Sequence, residues 1–222
     1  MRRFLVLSFI LAVAAWTAAP AFAQPAPQMI HVDAGGQTFK GKGCDEQFPT
    51  EITLKAAGQE FPLVAVGSGV RKKMVFKVYE GIAYADQAAD LGDDPYTALI
   101  EGNFPKRIVM FFLRNVDGGK MRGAYEDGFK KTMPEADRTE SFNAAMDTFL
   151  AYFPENSEAR DGNTIELTWI PDMGLYTVMN GVPSPPINNP ELATALWAIW
   201  FGDEPVSGDL KKDMVRFATG ED

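Results

Sequence analysis

The chain has little from which metal or disulfide chemistry could be built: its 222 residues hold one cysteine and one histidine. Cys44 alone cannot close an internal disulfide, so stability must come from a core even in an oxidising compartment. It reads as a small inert residue, with a free thiol or an intermolecular link as alternatives. His31 stands in a polar N-terminal stretch with no second imidazole, so no metal site and no cofactor are expected. Positive charge is also scarce, with 21 Lys and Arg against 30 Asp and Glu and a formal charge of −9. That excess opposes non-specific nucleic-acid binding and general adhesion to anionic membranes.

Long apolar runs are missing too. The run Phe4–Ala15 falls short of the ~20 residues that span a bilayer. Arg2 and Arg3 precede it, and Ala21-Phe22-Ala23 closes the segment with small residues where a signal peptidase reads. Residues 1–23 are therefore expected to be a cleaved secretory signal peptide, with the working protein starting near Gln24 and no membrane span left. Cys44 lies well past the run without a lipoprotein lead-in. Loss of Arg2 and Arg3 takes the formal charge from −9 to −11. The remainder is long enough for one domain with a substantial core. The expected division is a leader over 1–23, an N-terminal extension over 24–49 and a single domain over 50–222.

The extension, rich in Gly, Pro and Gln, reads as a tail or edge segment. Strand patterns follow at 50–55, at 60–66 and from Met74 to Ala85, the last rich in aromatic and β-branched residues. Residues 106–114 form an apolar run with cationic ends, as for a strand buried on both faces. Then the period changes. Tyr125 and Phe129 lie four apart in a helix expected over 120–132. Phe142, Met146, Phe149, Leu150 and Phe153 put one stripe on a helix over 139–153. Ile165, Leu167 and Trp169 alternate with Thr164, Glu166 and Thr168 in a hairpin that turns at Pro171-Asp172-Met173-Gly174, with one face buried and one wetter. Asn189-Pro190-Glu191 is a helix start, with Asn as cap and Pro in the first turn. That helix runs through Leu196, Trp197, Ile199 and Trp200 to Gly202, and Ser207 caps a last helix over 208–218. Strands, inserted helices, a hairpin and closing helices make an α+β fold, with helices layered on a mainly antiparallel sheet.

Few residues present themselves for chemistry. Gly67-Ser68-Gly69-Val70-Arg71-Lys72-Lys73 reads as a glycine-rich turn; it lacks the Gly-Lys-Ser/Thr ending of a phosphate loop. Arg71 stands at the mouth of an apolar layer, where its fork either reaches water or holds a carboxylate. Lys77 is expected to face water. Asp90, Asp93 and Asp94 read as a solvated loop without calcium-loop spacing. Tyr125 is either a site residue or the core partner of Phe129, and Trp197 and Trp200 read as core aromatics.

Taken together, several segments resemble the chalcone isomerase-like family. Gly67-x-Gly69-Val70-Arg71 followed by Phe76-Lys77-Val78-Tyr79-Glu80-Gly81-Ile82-Ala83-Tyr84 is similar to its glycine–Arg strand pair. Ala195 to Gly202, then Val206-Ser207-Gly208-Asp209-Leu210-Lys211, resembles its penultimate helix and the start of its last. Gly123-Ala124-Tyr125-Glu126-Asp127 and the hairpin Asn163–Met179 fit between them in order, so the likeness spans about 60–217. It points to the exported bacterial branch, and hence to a periplasmic location.

The resemblance implies an open-faced, mainly antiparallel sheet backed by helices, with a ligand cleft between the two. In the plant enzymes that cleft closes a flavanone ring. Their Arg falls on Arg71 and their Tyr on Tyr125. The strand Thr falls on Val78, the Asn seven residues after the Tyr on Thr132, and the Thr-Met pair on Ile199-Trp200. Three polar groups have thus changed. Cyclisation needs a phenolate and an enone held in attack geometry with charge stabilised on the ketone oxygen, and Val78 and Ile199 cannot donate hydrogen bonds. Arg plus a phenol at an apolar slot resembles the family's non-catalytic, fatty-acid-binding members. The expected function is therefore non-catalytic binding of a small amphipathic carboxylate, such as a fatty acid. The alternatives are an isomerase or intramolecular lyase acting on a conjugated ketone, and a partner-binding envelope protein. The oligomeric state is not legible in the sequence.

Overall fold

The computed structural model describes residues 30–220, so the expected signal peptide lies outside the described residues. Strands β1 (His31–Lys40), β2 (Gln47–Ala56), β3 (Gln59–Lys73) and β4 (Phe76–Asp86) follow one another as hairpins. Helix α1 (Pro95–Glu101) leads into β5 (Lys106–Phe112), and the short β6 (Val116–Asp117) opens α2 (Gly118–Thr132). Then come α3 (Glu140–Leu150), β7 (Glu158–Ala159), the hairpin β8 (Thr164–Ile170) and β9 (Gly174–Met179), and β10 (Val182–Pro183). Helices α4 (Pro190–Phe201) and α5 (Gly208–Asp213) close the chain. One eight-stranded sheet takes the order β1-β2-β3-β4-β5-β8-β9-β10, while β6 and β7 form a separate ribbon. All the pairings are antiparallel. The α+β expectation holds.

The helices cover one face of the sheet. Phe129 of α2, Phe142 and Phe149 of α3, and Leu196 and Trp197 of α4 are buried with Ile108, Leu167 and Trp169 of the strands. Each such side chain removed from water contributes ~1.5–3 kcal/mol. The caps form as their residue types dictate: Asn189 accepts from the Leu192 N–H and Ser207 from that of Leu210. The other face is drier than the alternation in β8 suggests. Thr168 is buried there, beside a second cluster of Ile52, Leu54, Ile82, Tyr84, Ile170 and Tyr176. The sheet curls to close this face. Phe48 of β2 meets Phe111 of β5 at 5.8 Å between ring centroids, although three strand spacings of a flat sheet would separate them by ~14 Å. The Tyr84 hydroxyl likewise donates to the Pro49 carbonyl at 3.0 Å. The stretch read as a tail or edge segment thus supplies edge strand β1 and the start of β2.

Three local expectations change. Gly67 to Arg71 is not a turn but the continuation of β3, and the chain reverses at Met74-Val75. Its glycines answer a distant neighbour: a Cβ on Gly67 would lie 2.5 Å from the Asp213 carbonyl oxygen, and one on Gly69 would lie 2.4 Å from the Asp213 Cβ. Asp94 is not merely solvated, because its side chain caps α1 by accepting from the Tyr96 and Thr97 N–H groups. The last helix stops at Asp213, and the chain beyond it returns to the sheet, where Phe217 N–H donates to the Val66 carbonyl at 2.9 Å.

The cationic start of β5 is buried, whereas Arg114, beyond its other end, is exposed. Lys106 is 2% exposed, and its ammonium donates to the Leu99, Ile100 and Gly102 carbonyls at 2.7–3.0 Å. These are the acceptors that the end of α1 leaves unpaired. Burial nevertheless pulls the Lys106 pKa down to about 7. On the opposite face Arg107 pairs with Glu166 at 2.5 Å and donates to Thr168 at 3.0 Å.

Candidate functional site

An apolar cleft of about 410 Å³ opens between the β3–β4 hairpin, β5, α2 and α4. That lies within the ~300–1,000 Å³ typical of small-molecule sites. Val78, Met110, Phe112, Met121, Ile165 and Ile199 supply much of its wall. Strand alternation puts Met110 and Phe112 on the helical side of β5, and the spacing of Met121 and Tyr125 turns both to the buried side of α2.

Two phenols line the cleft. Tyr79 is buried and accepts a hydrogen bond from the Trp200 indole N–H at 3.0 Å. Tyr125 is wedged among aromatic rings, with its centroid 4.9 Å from those of Phe149 and Phe153. Its hydroxyl reaches only the Met110 sulfur, at 3.9 Å, and a thioether is a weak acceptor. Burial pushes the Tyr79 pKa up to about 12, against the smaller opposing effects of the Trp200 bond and the Arg71 charge. Burial, with Tyr79 adding to it, holds Tyr125 well above the ordinary phenol value. Both are therefore neutral O–H donors at physiological pH.

Four cations surround the mouth: Arg71, Lys73, Arg114 and Lys120. Lys120 is engaged by Asp117 at 2.5 Å, and Arg114 lies 5.0 Å from the Phe76 ring centroid. Arg71 donates to the carbonyl of its neighbour Lys72 and has no carboxylate partner among the described residues. An unpaired guanidinium above a largely apolar slot, with two neutral phenols beneath it, suits an anionic head and an apolar tail.

Of the residues singled out in the sequence, Arg71, Val78, Tyr125, Ile199 and Trp200 meet in this cleft. Thr132 does not line it. It ends α2, seven residues and ~10 Å of helix beyond Tyr125, with its Oγ1 buried and unbonded. Trp200 belongs both to the core and to the cleft wall, whereas Trp197 is only core. Lys77 is exposed and donates to the Gly43 carbonyl at 2.9 Å. Sequence reasoning missed Tyr79, Lys73 and Arg114. Tyr79 was within reach, because counting back by twos from Ala85 and Ala83 puts it on the helix-covered face of β4. Lys73 and Arg114 gave no local signal, since a tight turn and a strand end bring them to the mouth.

Fold and cleft together define a class: a curled antiparallel sheet with an apolar cleft beneath a helical layer. The sequence profile of the chalcone isomerase-like family matches residues 45–215, and the chain belongs to that family. No curated protein matches the sequence. The crystal structure of a fatty-acid-binding protein of Arabidopsis thaliana superposes with a TM-score of 0.64 at 16% identity, covering 83% of this chain and 98% of that one. The eight-stranded antiparallel sheet with its helical cover is thus the chalcone isomerase-like fold. Among the described residues, no helix is long and apolar enough to cross a membrane.

Proposed function

We propose that this protein binds a small amphipathic carboxylate, such as a fatty acid, without transforming it. One observation carries the reading: Arg71, free of any acidic partner among the described residues, stands at the mouth of an apolar cleft lined by Tyr79 and Tyr125. The carboxylate would take the guanidinium fork and a phenolic O–H, and the chain would lie along Val78, Phe112, Met121 and Ile199. The fatty-acid-binding protein of the same fold supports the ligand class. The lack of hydroxyls at Val78 and Ile199 weighs against catalysis on a conjugated ketone. The protein would act after export, in the periplasm, with the chain cut after Ala23.

The test is calorimetric titration of delipidated protein with a fatty acid and with its alcohol. Binding of the acid, with the alcohol much weaker, supports the reading; equal binding or none overturns it. N-terminal sequencing of protein from the cell envelope should begin near Gln24, and intact Met1 on cytoplasmic protein would rule out export.

A further inference from the structure

The reversal between β3 and β4 exposes three large apolar side chains in a row: Met74 at 89%, Val75 at 84% and Phe76 at 56%. Isolated exposed apolar residues are common on proteins, but a contiguous set at a protruding tip is not. The turn itself does not call for them. Met74 sits at φ 55°, where glycine or asparagine is the easier occupant. Cations surround the tip: Lys72 and Lys73 before it, Lys77 after it, and Arg114 against the Phe76 ring. Along the same hairpin, Lys42, Lys72, Lys77 and Lys212 line a second groove and outnumber Asp209 and Asp213. Asp117, paired with Lys120, is a further carboxylate near the mouth. This flank is therefore locally basic in a chain of net charge −9.

We propose that the β3–β4 tip docks the protein on an anionic lipid surface, with Met74, Val75 and Phe76 entering the interface and the flanking lysines meeting the headgroups. An apolar wedge inside a basic ring matches the two layers of such a surface, acyl chains below and negative charge above. The net negative charge opposes unspecific adhesion, while the local field acts within a Debye length of ~8–10 Å and selects this face. Lys73, Met74 and Phe76 also line the cleft mouth, so docking sets the mouth against the lipid. The docking itself does not depend on what the cleft holds.

Flotation of the full chain with phosphatidylglycerol–phosphatidylcholine vesicles, and with phosphatidylcholine alone, tests this. Wild type should partition to the anionic vesicles and be released by salt. Val75→Asp should weaken partition tenfold or more and Lys72→Gln about fivefold. Neither residue lines the cleft, so fatty-acid affinity without vesicles should be the same in all three proteins. Every variant carries the same N-terminal residues, so a retained leader cannot create a difference between them. Partition unchanged by Val75→Asp, equal partition to neutral vesicles, or none to either composition overturns the proposal. So does a concentration-dependent dimer that Val75→Asp dissolves without any vesicle binding, which would assign the tip to a second copy. A protein that floats with anionic vesicles yet binds no fatty acid would sink the ligand reading and leave docking standing.

Discussion

The Trp200 indole donates to the Tyr79 hydroxyl oxygen across 3.0 Å, tying α4 to β4 inside the cleft. Because Tyr79 serves as an acceptor there, its own O–H stays directed elsewhere and available to a ligand. Tyr79→Phe removes that acceptor and leaves a buried indole N–H unpaired, a loss of ~1–3 kcal/mol. Urea unfolding should show the loss as a lower midpoint with an unchanged slope. A midpoint equal to wild type would mean that the indole finds another acceptor.

Lys106 makes stability depend on pH in a defined direction. Burial lowers its folded pKa to about 7 from the 10.5 of the unfolded chain. Between those values the unfolded chain holds the extra proton, so raising the pH stabilises the fold. The effect is bounded by ~1.4 kcal/mol per unit of pKa difference, and the three carbonyl contacts to the ammonium reduce it. Urea midpoints should rise between about pH 7 and pH 10, and the rise should shrink in Lys106→Met. An identical rise in the variant would place its origin elsewhere.

Gly69 tests the close approach of α5 to β3. Gly69→Ala would drive a methyl group to 2.4 Å from the Asp213 Cβ, so one of the two segments must shift. Overpacking of this kind costs ~1–3 kcal/mol, and a thermal melt should show it. Gly58→Ala, by contrast, meets no neighbour within 4 Å but sits at φ +76°, so any loss there comes from backbone strain alone. Equal melting of Gly69→Ala and wild type would show that the close approach can relax freely.

These tests separate what the sequence displays from what it conceals. The stripe Phe142–Phe149, the Asn189-Pro190 cap and the β8–β9 hairpin are local, and their periodicity and turn chemistry place them correctly. The same residues that look like a turn, Gly67 to Arg71, form a strand because Asp213, far along the chain, needs their bare backbone. Lys106 looks like a hydrated strand end, yet it is buried because α1 offers it three carbonyls. Helix α1 itself went unread, since seven residues are too few to show a helical period. The cleft follows the same rule. Arg71 and Tyr125 were legible by resemblance, while Tyr79 and the basic ring depend on strand register and on the position of a turn.

Chalcone cyclisation should be absent or marginal. The cleft offers two neutral phenols and a guanidinium, but Val78 and Ile199 line it where the enzymes of the family carry hydroxyls, and Thr132 lies outside it. Loss of chalcone absorbance over a pH series, with the spontaneous rate subtracted, measures this. Robust, saturable turnover would promote the isomerase alternative over the binder.

The most discriminating expectation concerns Arg71. If its guanidinium holds the carboxylate in two-pronged fashion, Arg71→Ala should weaken fatty-acid binding by ~1.5–3 kcal/mol, roughly ten- to more than a hundredfold. Arg71→Lys should recover only part, because an ammonium keeps the charge without the planar fork. The matching alcohol lacks the anion, so it should bind wild type weakly and respond little to either change. Tyr125→Phe should cost less than Arg71→Ala, since it removes one hydrogen bond from a neutral donor and leaves the guanidinium fork in place. Stability is not expected to confound the comparison: Arg71 is only partly buried and bonds only a neighbouring carbonyl among the described residues. Thermal melts of each variant check that. Equal acid affinity in wild type and a folded Arg71→Ala would reduce Arg71 to a solvated strand residue and remove the anchor of the ligand reading.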